Sequence, residues 1–169
     1  EDTNAIEIVL ETTPFYPESG GQIGDTGLLK NKNTQIAIYD TQKIGDAVVH
    51  YGKIEKGQIN IGDRVNACID KARRIAITRN HTATHLLQAA LRKVLGEHIQ
   101  QQGSLVSDDR LRFDFTHFKA LSKQELDRVE EVVNSYIKDN YSVKTEEMSL
   151  DKAKELGALA FFGEKYTDR

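Results

Sequence analysis

Two histidines four positions apart, His81 and His85, are the residues of this chain whose types and spacing most directly suggest chemistry. On a helix that spacing sets both imidazoles on one side, about one turn from each other, as a metal-binding pair requires. The expected helix also separates them from its apolar positions. Ala83, Leu86, Leu87, Ala90, Leu91 and Val94 form one stripe, while His81, His85, Gln88 and Arg92 fall nearly opposite. A helix beginning near Asn80 places the pair in its first turn, where the helix dipole favours the neutral ring that binds metal. Thr82 stands where a metalloprotease of this spacing carries its general-base glutamate, so protease chemistry is disfavoured. Two exposed histidines with no ligand would satisfy the same spacing.

Zinc takes four protein ligands in a closed site, or three and a water in an open one, so two imidazoles are too few. The further candidates in the chain are Cys68, His50, His98, His117 and acidic side chains. Cys68 falls in an expected strand and reads better as a small buried hydrophobe. Lys71, Arg73, Arg74 and Arg79 gather positive charge just before the pair, as a local RNA contact or a solvated turn would.

The elements that must position these residues differ between the two halves of the chain. Residues 1–70 alternate short β-rich runs (6–10, 36–39, 48–54 and 65–69) with glycine-bearing turns, the pattern of a small β-barrel or sandwich. Residues 71–169 read as α+β, with helical periodicity over 80–95, a strand at 111–115 and a second long helix after Ser122. The fold expected is therefore α+β: a β-barrel subdomain, then helices packed on an antiparallel sheet. Ser122 followed by Glu125 is a capping-box pattern, and Leu126, Val129, Val133, Tyr136 and Ile137 recur at helical spacing behind it. Residues 141–148 read as a strand, and Ser149 opens a short helix that Gly157 ends.

A chain of 169 residues, 38% hydrophobic and 29% charged, can bury one good core or two small ones. It has no apolar run long enough to cross a bilayer and no secretion-signal pattern, so the cytoplasm is the expected compartment. A lone cysteine agrees with a reducing environment. The formal net charge of -3 excludes nucleic-acid binding by bulk electrostatics, so any RNA contact must be local and DNA is not an expected partner. The chain opens at Glu1 rather than Met and reads as a piece of something longer.

Five ordered stretches resemble the alanyl-tRNA synthetase editing domain and the free-standing alanyl-tRNA deacylases related to it. They are Thr13-Pro14-Phe15-Tyr16-Pro17-Glu18-Ser19-Gly20-Gly21-Gln22-Ile23-Gly24-Asp25-Thr26-Gly27, Arg79-Asn80-His81-Thr82-Ala83-Thr84-His85-Leu86-Leu87, Gln101-Gln102-Gly103-Ser104-Leu105-Val106, Leu111-Arg112-Phe113-Asp114-Phe115, and Gly157-Ala158-Leu159-Ala160-Phe161-Phe162-Gly163-Glu164-Lys165-Tyr166. The last stretch, and Glu18-Ser19 within the first, resemble the synthetase more than the free-standing enzymes. The resemblance implies a hydrolase that clears serine and glycine mistakenly esterified to tRNA(Ala). Its parent would join alanine to tRNA(Ala) using ATP and magnesium in a separate aminoacylation domain. The expected partners are the tRNA(Ala) acceptor end and the parent's other domains, with no membrane. The family's second pair of zinc ligands, a cysteine and a histidine, lies beyond the last matched stretch and is not reached by Arg169. This chain alone is therefore expected to be inactive. A free-standing deacylase and a non-catalytic tRNA-docking module are the alternatives.

The same resemblance implies individual roles. His81 and His85 would hold zinc; Gln101 would orient water or the ester carbonyl, and Thr84 would hydrogen-bond a serine hydroxyl that alanine lacks. Read from the residues themselves, Gly20, Gly21 and Gln22 form a tight turn that lets backbone approach backbone or ligand, Arg74 and Arg79 belong to the basic cluster that could contact tRNA, and Arg112 with Asp114 either places the tRNA end or forms a surface ion pair.

Overall fold

A computed structural model of the chain describes residues 4–157. The last matched stretch, from residue 158 on, lies outside them. Five strands build an antiparallel sheet: β1 (Ala5–Val9), β2 (Gly27–Lys30), β3 (Gln35–Ile44), β4 (Ala47–Lys56) and β5 (Asn66–Ile69). Their order is β1-β4-β3-β2-β5. The register follows from side-chain alternation, since Ile36 and Ile38 on β3 turn to one face with Leu29 of β2 and join Phe15 in the core. Ile6, Ile8, Ile54, Val65 and Ile69 pack around that cluster. The long β3–β4 hairpin closes through a two-residue loop, Ile44 facing Ala47, with Gly45 at φ +59 as such a tight loop needs. A register shift between Ile38 and Asp40 leaves Tyr39 outside the ladder and exposed.

The expected barrel is corrected in one respect. Among the described residues β1 and β5 end the order without pairing to each other, so no closed sheet is found. The α+β class holds: an antiparallel sheet with helices in the later half.

Helix α1 (Lys71–Leu95) begins nine residues before the position expected from its apolar periodicity. Asp70 supplies the start, its carboxylate accepting the Arg73 backbone N–H at 3.0 Å while its carbonyl accepts from Arg74 N. Periodicity misses this turn because the early side chains are charged or exposed, Ile75 among them. Gly96, at φ +117, ends the helix. Two further strands, β6 (Gln101–Val106) and β7 (Leu111–Phe115), pair as a two-stranded sheet.

Helix α2 (Lys123–Asp139) opens with the expected capping box, Ser122 accepting from Glu125 N and Glu125 accepting from Ser122 N, and ends on Asn140 in the left-handed region. Its covered seam is narrower than the pattern suggested: Val129 and Val132 are buried, whereas Leu126 and Ile137 are exposed. Residues 141–148 form no strand; Tyr141 and Val143 are exposed, and alternation alone cannot make a strand where no neighbour supplies hydrogen bonds. Ser149 does open a short helix, α3 (Leu150–Glu155), followed by Gly157 at φ +83.

The described chain divides into two compact units. One runs through His85 and includes Gly103–Asp114; the other takes Leu86–Gln102 and the chain from Phe115 onward. No helix among the described residues is long and apolar enough to cross a membrane.

Candidate functional site

His81 and His85 do share a side of α1, their rings lying side by side with centroids 5.2 Å apart. The glycine-rich loop before β2 reaches His81. Ser19 and Gln22 exchange backbone hydrogen bonds of 3.1 and 2.9 Å across Gly20 and Gly21, both at positive φ. At Gly21 a side chain is impossible, because a Cβ would sit 2.6 Å from the Ser104 carbonyl oxygen. That close approach lets Val106 N donate to Gly21 O and Ile23 N donate to Val106 O, so the loop lies along β6. From the opposite direction Asn80 on α1 donates its side-chain amide to Ser107 O at 2.8 Å.

Gln22 is thereby held, and its side chain is buried. Its Oε1 lies 2.6 Å from His81 Nδ1, within hydrogen-bonding distance. His81 is half-buried and His85 exposed. Burial, reinforced by the neighbouring His85 charge, pushes the His81 pKa below the usual imidazole value. This is the neutral form expected, reached by a different cause. The pair sits in the interior of α1 and not in its first turn, so the helix dipole is not responsible.

The expected wheel also shifts. Ala90 and Leu91 of the expected stripe are buried, but so are Ile77, Thr84 and Gln88, the last of which was placed on the open side. Thr84 is a buried side chain rather than a surface threonine, and its hydroxyl donates to Asn80 O at 2.9 Å.

The other candidate ligands do not join the pair. His50 is fully buried under the sheet, its Nδ1 donating to Ile8 O at 2.9 Å and its Nε2 accepting from the Thr13 hydroxyl at 2.7 Å. Both ring nitrogens are used. His98 and His117, in the second unit, bond to each other at 2.9 Å. Cys68 is exposed on β5, not the buried hydrophobe expected. Among the described residues no group of three or more His, Cys, Asp or Glu is arranged to hold a metal ion, and the pair by itself would supply at most two ligands.

The basic cluster is partly committed to structure. Arg74 clasps buried Asp25, its Nε 2.8 Å from Oδ1 and its second nitrogen on Oδ2, and it also reaches Pro14 O. Asp25 in turn accepts the Tyr16 backbone N–H. Arg73 donates to Gly24 O and pairs with Asp108. Lys71 and Arg79 are exposed. Gln101 stands half-buried at the start of β6, in the second unit. Arg112 and Asp114 form a sheet-surface ion pair at 3.1 Å. Neither Asp25 nor His50 was marked as a structural keystone by the sequence, since single polar residues within β-rich stretches carry no periodic signal.

Comparison with known proteins relates this sequence to a family. A family profile described as tRNA synthetases class II (A) matches residues 1–73. Over 161 residues, 95% of this chain, it is 54% identical to the alanine--tRNA ligases of Legionella pneumophila strains Paris and Corby. To that of strain Lens it is 52% identical over the same length. The chain spans 19% of the length of each of these relatives. On that identity, carried along nearly the whole sequence, the chain belongs to the alanine--tRNA ligase family.

Proposed function

We propose that this chain is the editing region of an alanine--tRNA ligase and hydrolyses the ester of serine or glycine on tRNA(Ala). The observation that carries the reading is the His81–His85 pair on α1, with His81 bonded to a buried glutamine of the glycine-rich loop and its pKa lowered by burial and by His85. Alanine differs from serine by a hydroxyl and from glycine by a methyl, and one pocket discriminates such differences only about 10- to 200-fold. A second, hydrolytic site supplies the missing fidelity.

In this reading His81 and His85 hold two corners of a zinc site whose other ligands lie outside the described residues. Zinc, when bound, positions the substrate or lowers the pKa of a water toward about 7. Thr84, whose proton is given to Asn80 O, keeps lone pairs that can accept from a serine hydroxyl. Gln101 orients the water or the ester carbonyl. Gly20 and Gly21 bring backbone close to the substrate, and Arg79, Arg112 and Asp114 line the approach of the tRNA end. Arg74 serves that approach through the fold, by its grip on Asp25. The parent's ligation of alanine with ATP and magnesium, and its cytoplasmic location, belong to the same reading.

The test is deacylation of seryl-tRNA(Ala) by a polypeptide extended to a complete ligand set, compared with His81→Ala and Gln101→Ala. The expected result is hydrolysis by the unsubstituted protein and a marked loss in both variants. Equal rates in all three would refute the site.

A further inference from the structure

We propose that Gln22 is a positioning residue: it holds His81 as the Nδ1–H tautomer and thereby leaves Nε2 as the one ring nitrogen able to face a metal or a substrate. The proposal rests on the editing reading for the purpose of that nitrogen, but the tautomer itself rests on geometry.

A neutral imidazole carries one proton, and which nitrogen bears it is decided by the partner of the other. Gln22 Oε1 sits 2.6 Å from His81 Nδ1 and can only accept there, so the proton must be on Nδ1. The acceptor has little freedom to move away. Gln22 is 5% exposed, its N–H donates to Ser19 O at 2.9 Å, and its carbonyl accepts from Ser19 N at 3.1 Å. The residues on either side are pinned to Val106, through Gly21 O and Ile23 N. A side chain carried on such a rigid turn loses little entropy in making one more bond. Metal-binding histidines commonly donate their second N–H in this way, to a carboxylate, a carbonyl or a water. A neutral amide oxygen performs the same orientation without adding a negative charge beside the site.

The experiment is a long-range proton–nitrogen NMR spectrum of the nitrogen-15-labelled chain at about pH 8, above the usual imidazole range. His81 signals are assigned by their loss in His81→Gln. The expected spectrum shows a protonated Nδ1 and an unprotonated Nε2 in the unsubstituted chain. In Gln22→Leu the proton moves in large part to Nε2, and in Gln22→Glu, which keeps an acceptor, it returns to Nδ1. A protonated Nε2 in the unsubstituted chain overturns the proposal, and so does a Gln22→Leu spectrum unchanged from it. The first of these needs no variant to fold. Zinc titration of the labelled polypeptide, extended to a complete ligand set, separates the two layers. Zinc should shift Nε2 while Nδ1 keeps its proton, and Gln22→Leu should weaken that binding about 10- to 100-fold. Zinc taken at Nδ1 overturns the proposal; no response to zinc, with the tautomer as expected, refutes the metal reading and leaves the Gln22 assignment standing.

Discussion

At the scale of single residues, two buried polar groups hold more than their size suggests. Asp25 accepts from Arg74 and from Tyr16 N while almost fully out of water, so removing its carboxylate strands both donors. Asp25→Ala is expected to lower stability by about 2–4 kcal/mol, toward the lower end because Arg74 keeps some access to solvent. Urea unfolding with an unchanged slope and a lower midpoint would show it. His50 is the second. Burial lowers its pKa below the ordinary 6.5, partly opposed by its bond to Ile8. The folded chain therefore resists a proton that the unfolded chain accepts. Stability from this source is complete above about pH 6.5 and declines as pH falls through and below that value. His81, also lowered, acts in the same direction. His50→Gln should reduce stability at neutral pH and flatten the slope of stability between about pH 7 and pH 5, measured by denaturation midpoints. An unchanged slope would mean that the buried ring does not control it.

Among the elements, α2 offers the cleanest test of local coding. Glu125 is held down to about 2 by the Ser122 backbone N–H first, then by the Ser122 hydroxyl and Lys119. Its contribution is present above the usual carboxylate value of 4.5 and fades as pH falls toward about 2. Ser122→Ala should cost about 1 kcal/mol at neutral pH. It should also weaken the loss of helical signal on acidification, because part of the bond that titrates has gone. A variant with the same acid profile as the parent would place the acid sensitivity elsewhere. The capping box was readable from sequence because its partners are three residues apart. The start of α1 was not, since Asp70 caps a turn whose own side chains show no apolar period. Residues 141–148 failed in the other direction: alternation predicts a strand, yet a strand exists only where a neighbour completes its hydrogen bonds.

For the molecule as a whole, charge sets the strength of any RNA contact. With a net charge of -3, and with Arg73 and Arg74 bonded to Asp108 and Asp25, the chain has little positive surface left in the cluster beyond Lys71 and Arg79. It should therefore bind tRNA weakly on its own, with a logarithmic salt slope of only about -1 to -2. Lys71→Ala with Arg79→Ala should reduce that slope without changing stability, whereas Arg74→Ala should lower stability first. Filter binding across a salt series checks the former and thermal unfolding the latter. A slope several-fold steeper would reveal a basic surface that the cluster does not contain.

The sequence alone determined whatever depends on near neighbours and on strongly patterned stretches: the β-rich first half, the α2 cap, the helical pairing of His81 with His85, and the family resemblance that runs through these motifs. Only the tertiary structure decided what meets across distance. Gln22 and His81 are 59 residues apart, and Asp25 and Arg74 are 49 apart. No periodicity links them, because a contact of that span exists only after the glycine loop has packed along β6 and against α1. Sheet closure is likewise a property of which edges meet, and side-chain alternation along a strand specifies its faces but not its neighbours.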